Sequence, residues 1–344
     1  MKKILIAATS ALALLCLIGA GLVHSWADTG HGRLDYKVAV ILKFMSFKDG
    51  AEESIPPVAE GRRLLVEKVK KFGSAPVPVK QVIDRTFPGP AGSVPIRIYA
   101  PDAGAPLPVV LFYHGGGWVQ GDFSTHDNLC RYLANAAGAM VIAVAYRLAP
   151  EHPFPAGVED AYAALVWTAE NAGALGGDPK RIAVMGDSAG GNLSAVVSLM
   201  ARDRKGPHIR RQVLVYPATD LSRLDTDSYN HFGRGFMLTR KKIEWFRRQY
   251  MPNPGDWTDP LASPLLAADH SRLAPATIVT AQMDPLCDDG KRYAEKLEQA
   301  GVPTRYHCYE GMIHGFVSAD KVLGQAHEAL DEIARDLKAA FQAA

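Results

Sequence analysis

The sequence predicts an α/β fold: a mostly parallel central sheet of eight strands, flanked by helices on both faces and overlaid by a helical cap. Three observations lead to it. From residue 108 onward, short apolar runs alternate with stretches at helical spacing, as parallel strands and their crossover helices do. Ahead of them, two strand-like runs are joined by Gly89-Pro90-Ala91-Gly92, which reads as a hairpin and sets an antiparallel pair beside the parallel strands. One interval, residues 218–270, is longer than a crossover needs and reads as an insertion over the sheet.

Taken in order, the chain opens with Met1-Lys2-Lys3 and an apolar run from Ile4 to Val23, a targeting pattern. Ser25-Trp26-Ala27 is small at its first and third positions, as a signal-peptide cleavage site is. The expectation is a leader over residues 1–27, with the globular part (residues 28–344) exported to the periplasm or the medium. The run is also long enough to span a bilayer, so an uncleaved anchor over residues 4–23 in the inner membrane is the alternative. Only in that case does a membrane count as a partner. Cys16 does not make a lipoprotein site, because Leu15 stands where a small residue is expected.

Residues 28–75 show helical spacing in Val38, Val40, Ile41 and Phe44 and again in Leu64, Leu65 and Val69, split by Ile55-Pro56-Pro57. Strands are predicted over Val82–Phe87, Val94–Tyr99, Pro108–Tyr113, Met140–Tyr146, Arg181–Met185, Gln212–Tyr216, Ala276–Thr280 and Thr304–Tyr309. Helices are predicted over Asn128–Ala136, Val158–Ala169, Ser188–Arg202, Lys291–Gln299 and Lys321–Phe341. The 218–270 insertion holds a predicted helix, Thr239–Tyr250, and a Pro/Gly/Asp-rich tract from Met251 to Pro264. Together with residues 28–75 it is expected to cap the mouth of a site.

With 344 residues, 48% hydrophobic and 22% charged, the chain can bury a substantial core and does not have the composition of a disordered one. The net charge of +2 comes without a long basic run, so nothing points to a nucleic-acid partner. Cys130, Cys287 and Cys308 remain beyond the leader, with neither a disulfide framework nor zinc spacing. They are expected to be small buried residues, with pairing of Cys287 and Cys308 left open. No G-x-G-x-x-G, P-loop or H-E-x-x-H pattern occurs, so no cofactor or metal is expected. Asn192-Leu193-Ser194 matches a glycosylation acceptor but falls inside a predicted helix.

The chemistry centres on Gly186-Asp187-Ser188-Ala189-Gly190, where a strand breaks into a helix. A serine between two glycines at such a break fits a nucleophile elbow, the turn that lifts a hydroxyl clear of a sheet. The plainer reading is a Gly-rich turn with an incidental serine. A serine hydroxyl needs a base, and the base an orienting group. Asp284 follows the strand that begins at Ala276, and His314 follows the strand ending near Tyr309, so both fall at the same sheet edge as Ser188. Asp284-Pro285 by itself is more often a turn than a catalytic acid, and Asp288 and Asp289 compete with it. Those two open the next helix, where acids favour the dipole. His114-Gly115-Gly116-Gly117-Trp118 follows the strand from Pro108. There, Gly116 and Gly117 can bring backbone N–H groups against a substrate oxygen, and the N–H of Ala189 completes an oxyanion hole. Asp187, next to the serine, is expected to face away from His314 and to serve the scaffold.

These motifs carry a resemblance. With Tyr146-Arg147-Leu148-Ala149-Pro150-Glu151-His152-Pro153-Phe154-Pro155-Ala156 and Asp284-Pro285-Leu286, the chain resembles the bacterial hormone-sensitive-lipase-like esterases of the α/β-hydrolase superfamily, over roughly residues 80–340. The resemblance implies an α/β-hydrolase fold with a cap, a triad of Ser188, Asp284 and His314, and an oxyanion hole at Gly116, Gly117 and Ala189. It further implies that His114, Glu151 and Asp288 support the loops around the site. The expected activity is hydrolysis of small or short-chain carboxylic esters through an acyl-enzyme. A lipase for longer chains is the alternative among enzymes; a ligand receptor on the same fold is the alternative outside them, and has no need of His314. Trp118 is expected either to line the mouth of the pocket or to be a structural aromatic. A homodimer is compatible with this reading.

Overall fold

Eight strands form one sheet in the computed structural model, which describes residues 18–49 and 54–343. Strands β1 (Gln81–Gly89) and β2 (Gly92–Ala100) make the hairpin, and β2 also runs antiparallel to β4 (Met140–Val144). The others, β3 (Leu107–Tyr113), β5 (Gly177–Asp187), β6 (Arg211–Val215), β7 (Ala276–Met283) and β8 (Thr304–Ile313), run parallel, giving the order β1-β2-β4-β3-β5-β6-β7-β8. All eight predicted strands are present.

The alternation of side chains along each strand sorts the core into two layers. Val110, Phe112, Val141, Ala183 and Met185 face helices α4 (Phe123–Ala137) and α10 (Gly324–Gln342), meeting Leu129, Leu133, Leu330 and Ile333 there. Val109, Leu111, Ile142, Ile182 and Val184 face the opposite way, toward Val158 and Leu165 of α5 (Ala156–Asn171) and Leu193 and Val196 of α6 (Ala189–Asp203). Helix α9 (Cys287–Gln299) covers β7 with Tyr293 and Leu297 against Ile278. An apolar residue at every position of β3 and β4 is what a strand with both faces buried requires.

Boundaries moved where caps decide them. Helix α4 begins five residues before its apolar pattern. Asp122 accepts the Thr125 N–H at 3.0 Å while Thr125 Oγ1 accepts the Asp122 N–H at 3.0 Å, a capping box that extends the first turn. Strand β4 stops at Val144, and β5 runs from Gly177, ahead of its apolar part.

Among the described residues, three helices lie N-terminal to the sheet: α1 (residues 18–27), α2 (Tyr36–Asp49) and α3 (Val58–Phe72). Most of the predicted leader, residues 1–17, lies outside the described residues. Ala27, the last residue of that leader, is fully buried, and its carbonyl accepts the Leu34 N–H at 2.9 Å. Among the described residues no helix is long and apolar enough to cross a membrane. The insertion contains α7 (Asp227–Phe232), which the sequence pattern did not show, and α8 (Arg240–Tyr250). Its ends belong to the body, because Asn192 Nδ2 donates to Ala218 O and Ala262 O, both at 2.8 Å.

Candidate active site

Ser188 occupies the turn between β5 and α6 with φ +55° and ψ −117°, a strained backbone for a residue with a side chain. The fold over-determines it. The Ser188 N–H donates to Val215 O at 2.8 Å and the Asn192 N–H to Ser188 O at 3.0 Å. A β-carbon at Gly190 would lie 1.9 Å from Tyr113 O, so β3 and α6 approach as closely as they do only with glycine there.

Two side chains meet the serine from the next strand ends. His314 Nε2 lies 2.9 Å from Ser188 Oγ, and His314 Nδ1 lies 2.6 Å from Asp284 Oδ2. A carboxylate oxygen can only accept, so Nδ1 carries the proton and Nε2 is free to accept from the serine hydroxyl. Asp284 is fully buried, and its other oxygen accepts the Leu286 N–H at 2.9 Å, which fixes the carboxylate plane. Tyr216, also buried, packs its ring 4.6 Å from the imidazole. Asp284, the candidate that reads as a turn by itself, reaches His314; Asp288 and Asp289 do not.

The loop after β3 carries the glycines expected to act as donors. Gly116 and Gly117 have φ +122° and +63°, and a β-carbon on Gly116 would fall 2.2 Å from Gln120 O. Among the described residues, neither of their N–H groups, nor that of Ala189 at the start of α6, donates to a protein acceptor. Asp187 faces this loop and not the imidazole. Its Oδ1 accepts the Gly115 N–H at 2.8 Å and lies 3.0 Å from His126 Nε2. Burial works to raise the Asp187 carboxyl, but His126 and the Gly115 N–H hold it below its ordinary range.

The supporting residues divide by element. His114 is buried, stacks on Tyr146 at 4.4 Å and donates Nδ1–H to Gly115 O at 2.9 Å; burial pushes its pKa down to about 4, so it is neutral at neutral pH. Glu151 takes a double hydrogen bond from Arg62 of α3, at 2.9 and 2.7 Å. Asp288 Oδ2 accepts the Ser228 N–H of α7 at 2.9 Å, tying the insertion to the turn after Asp284. Asp289 is the deeper of the two acids, fully buried and holding the Thr219 and Asp220 N–H groups. The sequence shows Asp289 only as an acid at a helix start; its place under residues 219 and 220 comes from the fold. Trp118 is 4% exposed and stacks on Tyr250 of α8 at 4.6 Å with planes 3° apart. Its ring is thus packed beneath α8.

Cys130 is buried, whereas Cys287 and Cys308 are only half-buried, which corrects the expectation that all three are buried. Both are free thiols, with Sγ atoms 3.8 Å apart. Among the described residues no group of three or more His, Cys, Asp or Glu side chains is disposed to hold a metal ion.

Fold and site together define an α/β protein with a hydrogen-bonded serine, histidine and aspartate at one edge of its sheet. The family model for the α/β-hydrolase fold matches residues 110–318. The carboxylic ester hydrolase LipN of Mycobacterium tuberculosis is 47% identical over 264 residues, 75% of this chain and 70% of LipN. An ethyl acetate hydrolase of Pseudomonas putida is 42% identical over 69% of this chain and 76% of its own. Among solved structures, an esterase of Pyrobaculum calidifontis superposes with a TM-score of 0.84 at 42% identity, covering 90% of this chain and 100% of the esterase. The chain belongs to the α/β-hydrolase family.

Proposed function

We propose that this chain is a serine carboxylesterase that hydrolyses small or short-chain carboxylic esters. The observation that carries the reading is the unbroken hydrogen-bonded line from Ser188 Oγ through His314 to Asp284. Related carboxylic ester hydrolases and an ethyl acetate hydrolase support the ester class.

In this reading His314 Nε2 takes the hydroxyl proton as Ser188 Oγ attacks the ester carbonyl. Asp284 orients the ring and stabilises the imidazolium that forms. The oxyanion accepts from Gly116, Gly117 and Ala189, and His314 then protonates the leaving alcohol. Water activated by the same histidine releases the acid and frees the serine. Short acyl groups are favoured because the site has a low roof. The Phe246 ring of α8 lies where a β-carbon on Gly117 would be, within 2.4 Å, while the Trp118–Tyr250 stack holds that helix down. The N-terminal helices and the insertion act as the cap, and the leader exports the protein.

The test is a panel of p-nitrophenyl esters of increasing acyl length. Turnover is expected to peak at acetate or butyrate and to vanish in Ser188→Ala. Undiminished hydrolysis by that variant would sink the assignment, and a maximum at long chains would favour a lipase.

A further inference from the structure

Arg62 lies on α3, far from Ser188 in sequence, yet its guanidinium reaches the loop that carries the oxyanion donors. Nε donates to Val119 O at 2.8 Å, and one terminal nitrogen donates to Ala149 O at 3.1 Å. The same guanidinium clamps Glu151 with two bonds, at 2.9 and 2.7 Å, which hold the Glu151 carboxyl well below the usual range. Ala149 in turn donates its N–H to Trp118 O at 2.9 Å, so both carbonyls that Arg62 holds belong to backbone packed around the glycine loop.

The connection to the site runs through two peptide planes. The carbonyl of Val119 and the N–H of Gln120 belong to one rigid peptide unit, and point in opposite directions. Arg62 holds its oxygen; its N–H donates to Gly116 O at 2.9 Å, where Val119 N–H also arrives at 3.2 Å. The carbonyl of Gly116 and the N–H of Gly117 again share one plane. Fixing Gly116 O toward residues 119 and 120 therefore turns the Gly117 N–H the other way. Glycine at φ +122° permits many alternatives, so these two bonds are what hold the Gly116 peptide in this orientation. The helix is pressed onto the same turn: a β-carbon on Gly61 would lie 2.4 Å from Gln120 Nε2.

We infer that Arg62 is a positioning residue for the oxyanion hole, making α3 part of the catalytic assembly as well as a cover over it. This rests on the esterase reading of the site. It touches no substrate. Its action goes through Val119, Gln120 and Gly116 to the Gly117 N–H, so the loss on removing it falls on the transition state rather than on substrate binding.

The test compares wild type, Arg62→Ala and Arg62→Lys on p-nitrophenyl butyrate, with active sites counted by stoichiometric labelling with an organophosphonate. Removing an oxyanion donor outright costs about 100- to 1,000-fold in kcat. A loosened donor should cost a part of this, at least ~10-fold in kcat per labelled site, with KM changed by less than ~3-fold. Affinity for a trifluoromethyl ketone, whose adduct carries the oxyanion, should fall by a similar factor. The pH midpoint of kcat/KM should not move, because His314 and Asp284 are untouched. Arg62→Lys should restore a part of kcat, since a single ammonium can hold one carbonyl but not the fork. Should Arg62→Ala fail to fold, Arg62→Lys carries the same readouts, with a smaller fall expected in both kcat and ketone affinity.

A purely structural role would lower the melting temperature and the labelled fraction while leaving kcat per site and ketone affinity as in wild type; that result overturns the inference and leaves the esterase reading standing. A wild-type protein that neither turns over nor labels overturns both.

Discussion

Both backbone N–H groups that Asp289 accepts meet the same oxygen, Oδ2, at 2.9 and 3.1 Å, which leaves Oδ1 to carry a proton. Burial pushes this carboxyl up from 3.8 to about 8, with the charge of Asp220 adding to the effect. The sign follows from proton counting. Between about pH 4 and 8 the folded chain keeps a proton that the unfolded chain has released, so this residue's contribution is complete below that window and declines as pH rises through it. Asp289→Asn keeps an acceptor for both N–H groups and cannot ionise. Urea unfolding at pH 5 and pH 8 should show a smaller loss of stability on going to pH 8 in the variant than in wild type; equal losses would contradict it. At this scale the sequence was readable where a residue has a role of its own and silent where a neighbour shares the turn. Ser188, Asp284 and His314 each follow a strand end, which places them at one edge. Asp288 and Asp289 share a helix start, and only the fold tells them apart, by setting Thr219 against Asp289 and Ser228 against Asp288.

Trp118 shows the limit at the level of elements. Which side of the glycine loop its ring takes depends on Tyr250, which arrives with a helix whose placement no periodicity specifies. The two rings stack at 4.6 Å, and Tyr250 is 1% exposed. Tyr250→Ala should destabilise the fold by about 3 kcal/mol, the range for truncating a buried aromatic. Urea unfolding checks the stability. A change under ~1 kcal/mol would mean that α8 is not anchored there. Helix α7 was missed for a related reason: six residues, Asp227–Phe232, are too few to show a period, and Asp288 and Pro285 of the neighbouring turn hold it. The long elements needed no such help. Strands β3 and β4, and the later parts of β5, β6 and β7, are largely apolar because both faces are covered there, and that pattern is local. The reach of Arg62 from α3 to Val119 O was invisible in sequence, because it joins two segments whose only link is the fold.

For the molecule as a whole, the parallel sheet turns three separate strand ends into one site. Ser188 follows β5, Asp284 follows β7 and His314 follows β8, while the glycine loop follows β3. On the proposed mechanism the serine is a nucleophile only in the native fold. In the unfolded chain it is one hydroxyl among many, with a pKa no base corrects. The most direct measurement is peptide mass spectrometry after treating the native protein, the urea-unfolded protein and Ser188→Ala with a fluorophosphonate. The account predicts one adduct, on the peptide carrying Ser188, in the native protein alone. An adduct elsewhere, one that persists in Ser188→Ala, or none on the native protein would contradict it.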